Sequence, residues 1–218
     1  LLKQAGNAMT SNVIERLGKA IINTLQEVKK MKWKNFEEQS LEYLKEEYGN
    51  HFFLQGESDS TVSDILFSDK GVEFYIEAKM RNAQCGQFVL IPDNRISKFT
   101  YSSKNKTQEN QHTFTIIEYM SRNFEQYENA GTSGVDINID EKIFIDWIIN
   151  YYSSKGVKFF VTEGHNDDFI IFPIEEFGSY FSVTAKYRVK KSGSSKLAAS
   201  NVSDLELALT KSGIQYRL

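Results

Sequence analysis

Apolar residues change their spacing near residue 50. Before it, Val13, Ile14, Leu17, Ile21, Ile22, Leu25 and Val28 recur at helical intervals, which predicts one helix. Phe36, Leu41, Leu44 and Tyr48 predict a second, stopped at Gly49-Asn50. Beyond that point short runs of Ile, Val, Phe and Tyr take over. Residues 62–68 and 72–78 predict a β-hairpin turning through Asp69-Lys70-Gly71, and 87–91 a strand ended by Pro92-Asp93-Asn94. Residues 101–111 and 129–136 read as loops. Residues 113–127 and 140–152 read as helices, the latter with Ile143, Phe144, Trp147, Ile148 and Tyr151 on one side. A second hairpin, 157–162 with 169–174, turns through Gly164-His165-Asn166-Asp167. A helical turn over 175–181, a strand over 183–189 and a terminal helix over 204–210 complete the reading. The fold class is α/β in the α+β sense, a mixed or largely antiparallel central sheet flanked by helices.

Length and charge narrow the field. At 218 residues the chain can bury about 70% of its unfolded surface, so one large domain is expected, with residues 1–32 as a helical segment ahead of a main domain over 33–218. A formal net charge of −3 excludes a histone-like polycation, so nucleic acid would have to meet a local basic patch. No apolar run approaches a membrane span. The lone cysteine, Cys85, excludes an internal disulfide and a cysteine zinc site and suits a reducing cytoplasm. His51, His112 and His165 lack zinc-site spacing, and neither a P-loop nor G-x-G-x-x-G is present.

The chemistry concentrates in Ser63-Asp64-Ile65-Leu66-Phe67 and Ile76-Glu77-Ala78-Lys79. On a strand, Glu77 and Lys79 leave one face while Ile76 and Ala78 leave the other. If Lys70-Gly71 is the central pair of the turn, Asp64 lies directly opposite Glu77, and two carboxylates converge with an ammonium. A slip of one residue would undo this. Facing carboxylates are costly without a cation between them, and oxygen ligands with room for water suit Mg²⁺, with Mn²⁺ able to substitute. Such a group is equipped for metal-assisted phosphodiester hydrolysis, with Lys79 close enough to hold a water or offset phosphate charge. The plainer alternative is a set of cross-strand ion pairs on a wet face.

This run resembles the core of the PD-(D/E)XK nucleases, which include type II restriction endonucleases and Holliday-junction resolvases. The resemblance covers roughly residues 33–91 and departs at Ser63, where the name-giving proline stands. It implies a restriction-endonuclease-like core, with Asp64 and Glu77 as metal ligands and Lys79 acting on the attacking water. It also implies a supporting glutamate on the preceding helix: Glu37, or alternatively Glu38, in Phe36-Glu37-Glu38.

Two further groups could meet DNA. Gln84 and Gln87 follow the lysine closely. Lys186, Arg188 and Lys190 alternate on a strand and continue into Lys191-Ser192-Gly193-Ser194-Ser195, so Lys186, Arg188, Lys190, Lys191, Ser192, Ser194 and Ser195 could track phosphates. The alternative is a solvated edge strand guarded by lysines. The expectation is a cytoplasmic Mg²⁺-dependent endonuclease of double-stranded DNA, most like a homodimeric type II restriction enzyme. Its nuclease core would span about 33–100, with DNA-recognition additions over about 101–218. A structure-specific nuclease of the same superfamily and a non-catalytic DNA-binding protein are the alternatives.

Overall fold

The computed structural model describes residues 35–55, 62–164 and 168–189, together with the backbone of the strand Ser212–Arg217. Residues 35–48 are helical (α1). Strands β1 (Phe52–Leu54), β2 (Ile65–Asp69), β3 (Val72–Ala78), β4 (Gln84–Asp93) and β5 (Lys98–Tyr101) follow in turn. Helices α2 (Gln111–Arg122) and α3 (Phe124–Tyr127), strand β6 (Val135–Asp136) and helix α4 (Glu141–Ser153) come next. Strands β7 (Val157–Glu163) and β8 (Phe169–Pro173), a 3₁₀ turn (Ile174–Glu176), helix α5 (Phe177–Tyr180), and strands β9 (Thr184–Val189) and β10 (Ser212–Arg217) complete the described elements.

The strands form two five-stranded sheets. The first, in the order β1-β2-β3-β7-β8, is antiparallel except where β3 runs parallel to β7. It is the mixed sheet the sequence predicts. The second, β5-β4-β10-β9-β6, is antiparallel throughout. The first sheet draws its strands from residues 52–78 and again from 157–173, with β4, β5 and the helices α2 to α4 between them in the chain.

The faces of β3 divide as their alternation requires. Ile76 and Ala78 join Phe36 and Leu44 of α1, Ile65 and Val161 in one buried cluster. Complete burial of a side chain such as Ile76 or Val161 contributes roughly 1.5–3 kcal/mol. The opposite face belongs to a larger core shared by Phe160 and Phe172 of the first sheet, Phe88, Leu90 and Tyr187 of the second, and Ile116, Met120, Trp147, Ile148 and Tyr152 from α2 and α4. Trp147 Nε1 donates to Thr113 Oγ1 at 3.0 Å and ties those two helices together. Asn110 caps α2 by accepting from Thr113 N, and Asp140 caps α4 by accepting from Lys142 N. Among the described residues, no helix is long and apolar enough to cross a membrane.

Several expectations need correction. The helix expected over 113–127 breaks at Asn123, whose backbone leaves helical geometry while its side-chain amide donates to Tyr119 O at 2.8 Å. The strand expected to start at residue 87 starts at Gln84, so Gln84-Cys85-Gly86 is part of it. Strands β1 and β5 lie where none was expected, and β10 fills the centre of the second sheet. The strand carrying Lys186 and Arg188 is therefore no edge: β10 and β6 flank it. The helices expected over 9–28 and 204–210, and the turn residues His165, Asn166 and Asp167, lie outside the described residues.

The β2–β3 turn fixes the register on which the site depends. Asp69 pairs with Val72 and Ile65 with Ile76, while Lys70 and Gly71 take φ of +48° and +83°. Positive φ at both central positions matches the twist of a two-residue hairpin. Gly71→Val places a β-branched side chain in that conformation, and urea unfolding should show a loss of about 1–2 kcal/mol. Lys70→Asn, which favours the same region, should lose nothing.

Candidate active site

The register carries Asp64, one position before β2, opposite Glu77. The structure then closes three side chains on one another. Lys79 Nζ lies 2.6 Å from Glu77 Oε1 and 3.9 Å from Asp64 Oδ2. Asp64 Oδ2 also accepts the Ala78 N–H at 2.9 Å, which locks the loop before β2 against the end of β3. Backbone bonds hold the other side of this end: Lys79 N donates to Val161 O at 2.9 Å, and Thr162 Oγ1 donates to Lys79 O at 2.6 Å. The three charged groups thus sit at the C-terminal ends of the parallel pair β3 and β7, where open sheets characteristically place ligands.

This is not a wet face. Glu77 is 4% exposed and Lys79 5%. Glu77 faces the larger core, with Phe160 beside it on β7 and the Tyr152 ring 5.0 Å from that of Phe160. Cys85 is fully buried near Tyr152. Its thiol is pushed up to about 12, first by burial, so it is no nucleophile. Tyr152 is raised well above the ordinary phenol range by burial and then by the Glu77 charge. The electrostatics place Asp64, Glu77, Lys79, Cys85 and Tyr152 within reach of one another.

Charge within the group is unbalanced. The ammonium is committed to Glu77, and the charges of Glu77 and Asp64 hold it protonated, well above its ordinary value, against the opposing effect of burial. Asp64 keeps only the longer, 3.9 Å contact to that ammonium. Burial, then the Glu77 charge, lift its pKa to about 7, with Lys79 and the Ala78 N–H pulling the other way. The charge of Glu37 on α1 also raises it, whereas Glu38 is exposed. Glu77 Oε2 is buried with no hydrogen-bond partner among the described residues.

These features suit a hard cation. Among the described residues, no three His, Cys, Asp or Glu side chains are grouped to hold a metal. A cation here would therefore take Asp64 and Glu77 and complete its shell with backbone carbonyl, water or ligand oxygens. Mg²⁺ commonly binds in this way, through one or two carboxylates while keeping several waters. The unsatisfied Glu77 Oε2 and the desolvated Asp64 are the two oxygen donors such an ion needs.

Of the other sequence-selected residues, Gln84, Gln87, Lys186 and Arg188 lie on the second sheet. Gln84 Nε2 donates to Gln87 Oε1 at 3.1 Å, at the start of β4, and both residues are exposed. Gln87 and Lys186 are each paired with Gln215 of β10, so they share a level and a face with one strand between them. Lys186 Nζ lies 3.3 Å from Asp136, and Arg188 Nε is buried with no hydrogen-bond partner among the described residues. Gly134, at φ +78°, passes so close that a Cβ there would lie 2.7 Å from Lys186 Cγ. Lys190, Lys191, Ser192, Ser194 and Ser195 lie outside the described residues. Sequence reasoning missed Tyr152, Cys85 and Thr162 as neighbours of the site. Only the parallel pairing of β3 with β7 brings Tyr152 and Thr162 there, and no local pattern encodes that pairing.

Comparison with known structures gives one result. The chain superposes on HhaI endonuclease, solved in complex with DNA, with a TM-score of 0.70 and 55% sequence identity. The match covers 74% of this chain and 61% of that one, so the chain spans under two thirds of the length of the endonuclease it matches. At that identity the fold is shown: the protein has a restriction-endonuclease-like fold. No protein-family model matches the chain, and no curated protein matches it.

The raised pKa of Asp64 has a measurable consequence. Between its unfolded value of 3.8 and about 7 the folded state holds the extra proton, so stability present at low pH is lost as pH rises through that window. Asp64→Asn removes the loss. In EDTA, the variant's Tm should match the wild type near pH 4 and exceed it by several degrees at pH 8. Parallel pH profiles for the two proteins would contradict the assigned environment.

Proposed function

We propose that the protein is a divalent-metal-dependent endonuclease of double-stranded DNA, of the type II restriction kind, acting in the cytoplasm. The observation that carries this is the buried convergence of Asp64, Glu77 and Lys79 at the end of β3. Support comes from 55% identity to an endonuclease solved with DNA. On this reading Asp64 and Glu77 hold Mg²⁺, or Mn²⁺ in its place. When bound, the cation supplies charge neutralisation at the scissile phosphate.

The chain's own residues do the rest. Lys79, fixed by Glu77 and by two backbone contacts, presents a fully protonated ammonium beside the carboxylates. It orients the attacking water and offsets charge developing on the phosphate. Glu37 supports the site from α1. Burial excludes bulk water, which strengthens each of these interactions. Gln84, Gln87, Lys186 and Arg188 form the face of the second sheet offered to DNA, and the sequence adds Lys190, Lys191, Ser192, Ser194 and Ser195 as further DNA-contacting residues.

One such site is present among the described residues, so cutting both strands calls for two sites, which a symmetric homodimer supplies. A dimer by sedimentation that linearises supercoiled plasmid without a nicked intermediate would support this. A monomer that accumulates nicked circles would replace it with two successive single-strand cuts.

The activity itself is tested with long unmethylated duplex DNA, with Mg²⁺ or with EDTA. Discrete fragments are expected only with the metal. Asp64→Ala and Lys79→Ala should each lower cleavage by at least about 100-fold while retaining duplex binding measured by anisotropy. Binding without any cleavage by the wild type would leave a DNA-binding protein with this fold. Cutting confined to branched DNA would indicate a structure-specific nuclease.

A further inference from the structure

The site as described holds two carboxylates, Asp64 and Glu77, against one ammonium that is already engaged. Without a cation in place, a polyanionic strand entering it meets repulsion unless the rim supplies positive charge. Directly after Lys79 the chain makes a tight turn, Met80 to Ala83, closed by Ala83 N donating to Met80 O at 3.1 Å, with Asn82 at φ +59°. Arg81 stands at its corner and is exposed.

Its side chain is held from the far side. Nε donates to Glu163 O at 3.3 Å and one terminal nitrogen to Gly164 O at 3.2 Å. These bonds extend the ladder begun by Lys79 with Val161 and Thr162, so Arg81 lies at the same C-terminal end of β3 and β7 as the carboxylates. Two of the five guanidinium donors are used, and the planar fork is fixed by them at the surface. A guanidinium so pre-organised matches a phosphate better than a free lysine would.

We infer that Arg81 is a phosphate-clamping residue. It binds the backbone phosphate adjacent to the one held at Asp64, Glu77 and Lys79, on the strand being cut. This rests on the nuclease reading above and adds a residue to it. The alternative role is purely structural, a tether between the turn and the β7–β8 hairpin.

The salt dependence of binding separates the two. Equilibrium binding of the wild type, Arg81→Gln and Arg81→Lys to one duplex is measured by anisotropy in EDTA over a range of salt concentrations. Arg81→Gln keeps an N–H donor for the hairpin carbonyls and removes the charge, while Arg81→Lys keeps the charge. A lost phosphate contact weakens binding by about tenfold at low salt. It also reduces the slope of log K against log salt by about one. The expected result is that reduction in Arg81→Gln, with the slope restored in Arg81→Lys. A wild-type slope in Arg81→Gln, from a protein whose parent binds and cuts DNA, would overturn the clamp and leave the nuclease reading intact. A wild type that neither binds nor cuts duplex DNA would overturn both.

Discussion

Two carboxylates and one ammonium share a buried corner, and the fold around them is arranged to make that tolerable. Lys79 cannot satisfy both acids: it sits against Glu77 and leaves Asp64 at 3.9 Å. The remaining imbalance appears as a carboxyl lifted to about 7 and a buried oxygen without a partner. Neither makes sense as a device for stability, because an apolar pair of similar size would cost less. Both make sense as a site that waits for a cation, since an added positive charge would remove the strain at once.

Everything that holds this corner traces to register. The Lys70-Gly71 turn sets Asp64 against Glu77, and the pleat then sends Ile76 and Ala78 to α1 and Glu77 to the opposite core. The parallel neighbour β7 adds Phe160 beside Glu77 and the backbone contacts that fix Lys79. A slip of one residue at the turn would turn the acids into the α1 interface and the isoleucine into the site. The apolar cluster beneath α1 therefore helps to specify the geometry of the site.

That part was legible in the sequence because it is local. A two-residue turn, alternating faces and the spacing of Glu77 and Lys79 are encoded within sixteen consecutive positions, 64–79. What escaped depends on distant pairing. β10 pairs on one side with β4, more than a hundred positions away, and a glycine at 213 weakens its strand signal in the sequence. Its presence makes β9 an inner strand, against the alternative reading of it as a solvated edge, and brings Gln87 and Lys186 to one level of one sheet. The sequence places Tyr151 and not Tyr152 on the apolar side of α4, and only the crossover to β7 carries Tyr152 to the site.

The central claim is that Asp64 and Glu77 are the two ligands of one divalent cation. The most direct measurement is an anomalous difference map from crystals of the protein with duplex DNA and Mn²⁺. The account predicts a single strong peak bonded to both carboxylates, with Lys79 retained beside them. A map with no peak there, and with Lys79 still closed on Glu77, would contradict it.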